Sequence, residues 1–168
     1  MMKVSLLKFK LFLITLMASF AFLSFSTQAI EVGDTLVIDQ IQTLDGQVIS
    51  SQDLRGKYII IEVWASWCPF CHRQNQNLVE LVKLTQGMPL QVIGLSIDKN
   101  KDDAVAYVNK NKINFPNAMM TPELSKAIGK RRGIPELYVI DPQGKVVQKD
   151  YGEMIDLDIL DLANYGKR

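Results

Sequence analysis

The chain has 168 residues, 48% of them hydrophobic and 22% charged, with a formal net charge of +1. That length suits one domain able to bury a core unaided. The apolar share excludes wholesale disorder, and near-neutrality excludes the basic footprint of a nucleic-acid binder.

Charge is unevenly spread along the chain. The first 29 residues carry three lysines (Lys3, Lys8, Lys10), no acidic group and five of the seven phenylalanines. Residues 30–168 therefore hold 16 basic and 18 acidic groups, a net charge of −2. Met1–Lys10 is a basic start, Leu11–Phe25 a largely apolar run, and Thr27 and Ala29 are small residues around a cut. This order predicts a signal peptide over residues 1–29 cleaved after Ala29, with an uncleaved membrane anchor as the alternative. Residues 30–168 are then one domain on the far, oxidising side of a membrane.

Leu36–Gln42 and Gln47–Ser50 flank Leu44-Asp45-Gly46, a hairpin signal. Ser51–Lys57 is polar and reads as a loop. Tyr58–Trp64 (YIIIEVW) is a β-branched, nearly continuous apolar run, the pattern of a strand covered on both faces. Pro69 to Gln86 reads as a helix: Pro69 suits its first turn, and Leu78, Val79, Leu81 and Val82 make an apolar stripe. Leu90–Ile97 is a second buried strand, Lys101–Lys112 an amphipathic helix, and Asn114–Thr121 a loop or short strand. Pro122–Gly129 is a short helix and Glu136–Ile140 a third strand. Asp141–Gly144 turns into a fourth strand, Lys145–Lys149, and Met154–Asn164 is a closing helix. A β-α-β-α order followed by a β-hairpin and a helix demands one parallel crossover and an antiparallel extension. The expected class is α/β, a mixed central sheet flanked by helices on both faces, with an N-terminal β-hairpin.

The two cysteines, Cys68 and Cys71, enclose only Pro69 and Phe70. A bridge across so short a loop contributes little stability, so the pair points to chemistry. It falls where the first long strand ends and its helix begins, where sites form in α/β sheets. Helix N-termini carry unpaired amides and partial positive charge, which stabilise a thiolate. Cys68 sits at the helix mouth; Cys71 lies one turn inward. A Cys68 thiolate can attack a partner disulfide, and Cys71 can then resolve the mixed disulfide. The alternatives are a zinc half-site, for which His72 is the one further ligand nearby, a copper(I) carrier, and a redox-inert binding module.

These residues resemble the thioredoxin superfamily and, within it, the periplasmic TlpA, ResA and DsbE group. The resemblance runs through Glu62–Cys71 (EVWASWCPFC), Val92–Asp98 (VIGLSID), Asn114–Pro116 (NFP) and Gly133–Gly144 (GIPELYVIDPQG). It implies a thioredoxin fold and a thiol–disulfide oxidoreductase with no organic cofactor and no metal. Cys68 is the implied nucleophile and Cys71 the resolving cysteine. It further implies a cis Ile134–Pro135 bond facing the cysteines, with the Ile134 backbone pairing with an extended substrate. Glu62 stands where thioredoxin carries a buried acid, so it is the candidate proton acceptor for Cys71; strand alternation turning it to solvent is the other reading. Trp67, Pro69 and Phe70 are candidate partner contacts. Implied partners are cysteine-containing proteins and a membrane thiol–disulfide electron donor, with the chain a monomer acting as a reductase; an oxidant or isomerase is the alternative. The chain departs from this group at Gln74, Gln76 and Glu136, where glutamate, proline and threonine are common.

Overall fold

The computed structural model describes residues 29–167; the leader proposed for residues 1–29 lies, all but Ala29, outside them. Seven strands and four α-helices follow one another along the described residues. β1 (Gln40–Gln42) and β2 (Val48–Ser50) form a separate antiparallel hairpin. β3 (Tyr58–Trp64), β4 (Leu90–Ser96), β5 (Asn117–Met119), β6 (Glu136–Ile140) and β7 (Val146–Tyr151) form one sheet in the order β5-β4-β3-β6-β7. β3, β4 and β5 are parallel, while β6 and β7 are antiparallel to their neighbours. This mixed sheet, covered on both faces, is the thioredoxin fold.

Alternation sorts each strand's side chains between the two faces. On one face Ile61, Val63, Ile93, Leu95 and Tyr138 pack under the N-terminal segment (Ile30, Leu36, Ile38, Ile41) and α3 (Pro122–Ile128). On the other, Ile60, Val92, Leu137 and Val139 meet α1 (Pro69–Leu84), α4 (Asp156–Asp161) and the 3₁₀ turn Leu162–Lys167. α2 (Lys101–Lys110) sends Ala104 and Tyr107 against Trp64 and the cysteines. β3 has a neighbour on each side and is buried from Ile59 onward. Each such aliphatic side chain contributes roughly 1.5–3 kcal/mol, so the strand that ends at the cysteines is held on every side.

Most element boundaries shift by a residue or more from the sequence reading, and three of the shifts have a visible cause. The first strand covers only Gln40–Gln42, because the chain before it turns to the β6–β7 connection: Thr35 bridges Lys145, and the Leu36 N–H donates to the Gly144 carbonyl at 2.9 Å. Helix α1 ends at Leu84 because Thr85 leaves helical geometry (φ −102°, ψ 15°) ahead of Gly87, while its hydroxyl donates to the Leu81 carbonyl at 2.9 Å. The closing helix is two pieces. Its start is delayed because the Met154 N–H is taken by Gln74, and its end tightens to a 3₁₀ turn where Gly166 packs on Met88 and Leu90.

Candidate active site

The site begins at the carboxyl end of β3. Ala65, Ser66 and Trp67 lead from the strand to the helix, and this turn is clamped by Asp98 at the end of β4. The Ser66 N–H and hydroxyl donate to the two Asp98 carboxylate oxygens at 2.9 and 2.8 Å, and the Ser96 hydroxyl donates to Oδ2 at 2.7 Å. A carboxylate with three donors is a strong anchor. His72 closes the turn from the other side: its Nε2 lies 2.7 Å from the Ser66 carbonyl, an arrangement in which the ring nitrogen donates, and its ring stacks on Tyr107.

Cys68 is the N-cap of α1, with extended backbone angles (φ −94°, ψ 108°), and Pro69 occupies the first helical turn. Capping is normally done by a side-chain oxygen. Here sulfur does it: the Cys71 N–H donates to Cys68 Sγ at 3.2 Å. The two cysteines are joined in a disulfide with Cα atoms 5.3 Å apart. Cys68 is 3% exposed and Cys71 fully buried. The Ile134–Pro135 peptide is cis, and the Ile134 carbonyl oxygen lies 3.9 Å from Cys68 Sγ. Residues 66 positions apart in sequence therefore meet at one sulfur. The cis-proline loop is tied down by the Gly152 N–H, which donates to the Pro135 carbonyl at 2.9 Å.

Glu62 points into the protein, which removes the solvent-facing reading of strand alternation. It is completely buried. Its Oε2 accepts from Gln74 Nε2 at 2.8 Å, and its Oε1 has no hydrogen-bond partner. Burial holds its pKa well above the ordinary glutamate range, with the Gln74 hydrogen bond opposing. Trp67 and Phe70 stand out from the surface at 65% and 54% exposure, and Pro69 is exposed between them and Cys68. The Phe70 ring lies under the Arg73 guanidinium, 5.2 Å from its centroid, and Arg73 in turn pairs with Glu153. A cleft of about 650 Å³ lies elsewhere, between the hairpin turn, α2 and β5, and includes neither cysteine. The buried cysteine pair thus lies outside that cleft, beside the exposed aromatics Trp67 and Phe70. Among the described residues, no three metal-ligating side chains of the His, Cys, Asp and Glu types come together.

Three polar residues that the sequence reading left without a role belong to this neighbourhood. Asp98 is the clamp described above. Gln74, seen only as a departure from the resembling group, is buried on the same helix face as Cys71; the signal was its i+3 spacing from Cys71, in line with Leu78 and Leu81. Glu136, next to Pro135, is 1% exposed, and the Lys149 ammonium lies 3.9 Å away. Burial raises its pKa, with Tyr138, Lys149 and Arg131 opposing.

Fold and site together define a thioredoxin-fold protein with a cysteine pair capping its first long helix. The AhpC/TSA family model matches residues 32–149, and the chain belongs to that family. A thiol-disulfide oxidoreductase ResA of Bacillus cereus is 29% identical over 115 residues, which cover 67% of this chain and 65% of that protein. A thiol:disulfide interchange protein DsbE of Vibrio cholerae is 26% identical over 132 residues, 76% of this chain and 68% of that one. Among solved structures, a thiol:disulfide interchange protein of the thioredoxin family from Chlorobium tepidum superposes with a TM-score of 0.69 at 28% identity, covering 81% of this chain and 98% of that chain.

Proposed function

We propose that this protein is a thiol–disulfide oxidoreductase whose redox couple is Cys68 and Cys71 and whose substrates are cysteine pairs in other proteins. The observation that carries the reading is the placement of Cys68 Sγ at the N-terminus of α1, 3.2 Å from the Cys71 N–H and 3.9 Å from the Ile134 carbonyl. Once the disulfide is reduced, the same amide and the helix N-terminus favour a Cys68 thiolate.

The Cys68 thiolate attacks one sulfur of a substrate disulfide. A Cys68–substrate bond forms, the substrate S–S bond breaks, and the departing substrate thiolate takes a proton. Cys71 then gives its proton to Glu62 and attacks Cys68 Sγ. This expels the second substrate thiolate, to which the proton returns, and leaves the Cys68–Cys71 disulfide. Two electrons have moved from protein to substrate, with one proton from Cys71 by way of Glu62 and one taken from solvent by the first departing thiolate, and a dithiol donor must restore the pair. Trp67, Pro69 and Phe70 furnish the contact surface, and the Ile134 backbone beside cis-Pro135 aligns an extended substrate segment. We assign the chain to the periplasm as a monomeric reductase supplied by a membrane thiol–disulfide donor.

Reduction of insulin with dithiothreitol tests the activity. Turnover is expected to vanish in Cys68→Ser, and Cys71→Ser is expected to accumulate the mixed disulfide. Full turnover in Cys68→Ser, or stoichiometric copper binding without turnover, would overturn the reading. The reduction potential decides the direction: about −270 mV suits a reductant, and about −120 mV an oxidant.

A further inference from the structure

Glu62 has two carboxyl oxygens in different surroundings, and one residue creates the difference. Gln74 lies three positions beyond Cys71 on the buried face of α1, so the two share a face. Its side-chain oxygen accepts the Met154 N–H at 2.8 Å. A backbone N–H can only donate, so it settles which end of the amide faces it. The Nε2 group is thereby turned to Glu62 Oε2, 2.8 Å away. Glu62 Oε1 is left buried and unpartnered. An amide donor cannot accept a proton from Oε2, so a proton entering or leaving this carboxyl does so most easily at Oε1.

The elements packed around Glu62 add little else. Its ladder neighbours are Gly94 on β4 and Leu137 on β6, neither of them ionisable. α2 contributes Tyr107, whose hydroxyl accepts from Asn75 and whose pKa is raised, chiefly by burial. α1 contributes Cys71, Gln74 and Asn75 on its buried face, and the loop after β7 contributes the Met154 amide. Arg73 pairs with Glu153 of the same loop, and Asn77 donates to Asp156, the first residue of α4, at 2.7 Å.

We propose that Gln74 is the positioning residue of this site: locked by the Met154 N–H, its amide orients the Glu62 carboxyl and leaves Oε1 as the oxygen that exchanges a proton. The proposal rests on the reading of Glu62 as proton acceptor for Cys71, and it adds the residue that makes Glu62 a single, oriented acid. Gln74→Glu and Gln74→Leu separate the tether from the orientation. Glutamate keeps an acceptor for Met154 N–H but sets a second carboxyl against Glu62; leucine removes both contacts.

The test is a carboxyl ¹³C NMR titration of Glu62 in the full, oxidised domain, assigned with Glu62→Gln, alongside single-turnover rates of mixed-disulfide formation and resolution against pH. The wild type is expected to give one transition for Glu62. Gln74→Leu should move it upward, because a donor to the carboxylate is gone. Gln74→Glu should give two coupled transitions belonging to the pair. The resolving rate at neutral pH should fall roughly tenfold in Gln74→Leu with formation little changed, the scale of one lost hydrogen bond to a charged group. An unmoved Glu62 transition in both variants overturns the proposal whatever the kinetics. A moved transition together with a Glu62→Gln resolving rate equal to wild type upholds Gln74 as the orienting residue and overturns the proton role of Glu62.

Discussion

Replacing Glu62 by glutamine isolates the cost of burying an acid in the strand that carries the site. Glu62 is completely buried, has one hydrogen-bond donor, and titrates well above 4.5 because burial disfavours its charged form. In the unfolded chain the same group ionises in the ordinary glutamate range. The sign follows from linkage. Below that range both states are protonated and the full stability is present. As pH rises, the unfolded state loses its proton first, so stability falls until pH passes the folded-state pKa and is constant above it. Each pH unit between the two pKa values costs about 1.4 kcal/mol. Glutamine has nearly the same shape, keeps an oxygen for Gln74 Nε2, and never ionises. Glu62→Gln should therefore stabilise the oxidised protein at pH 8 by more than the roughly 0.5 kcal/mol typical of surface changes, with the gain shrinking toward nothing at pH 4. Urea unfolding at a series of pH values, with the disulfide intact so that neither cysteine titrates, measures it. A gain of equal size at pH 4 and pH 8, or destabilisation that grows with pH, would refute the reasoning.

Three further outcomes follow from contacts around the site. A Cβ at Gly94 would fall 2.1 Å from Asn117 Oδ1 and 2.8 Å from Trp64 Nε1, both on buried side chains; Gly94→Ala should cost about 1–3 kcal/mol by overpacking, measured by chemical denaturation. Asp98→Ala removes the acceptor of two hydrogen bonds from Ser66, in the turn before Cys68, and one from Ser96; a loss of about 2–4 kcal/mol is expected, and hydrogen exchange at the Ser66 amide should accelerate. Phe70→Ala and Trp67→Ala alter side chains that are more than half exposed, so unfolding free energies should stay within about 0.5 kcal/mol of wild type. The rate of insulin reduction should nevertheless fall, and an unchanged rate in both variants would remove these aromatics from the contact surface.

Much of this molecule was legible before any coordinates. A seven-residue β-branched run can be covered on both faces only inside a sheet, so YIIIEVW announced the central strand. Proline after a cysteine at the end of that strand announced the helix start and put Cys68 at its mouth. These are local consequences of periodicity and of the backbone preferences of proline. What the tertiary structure decided are relations between distant residues. Leu36 and Thr35 have strand-like side chains, yet their partners are Gly144 and Lys145, a pairing no local pattern encodes. Glu62 lies on an apolar strand and its alternation was compatible with either face; the packing of α1 decided that it is buried. Gln74 was only a departure from the resembling group until the loop after β7 brought the Met154 amide to one end of its side chain and β3 brought Glu62 to the other. Polar groups take their roles from the partner that burial forces on them, and that partner here lies 12 or 80 residues away, beyond the reach of any window read along the chain.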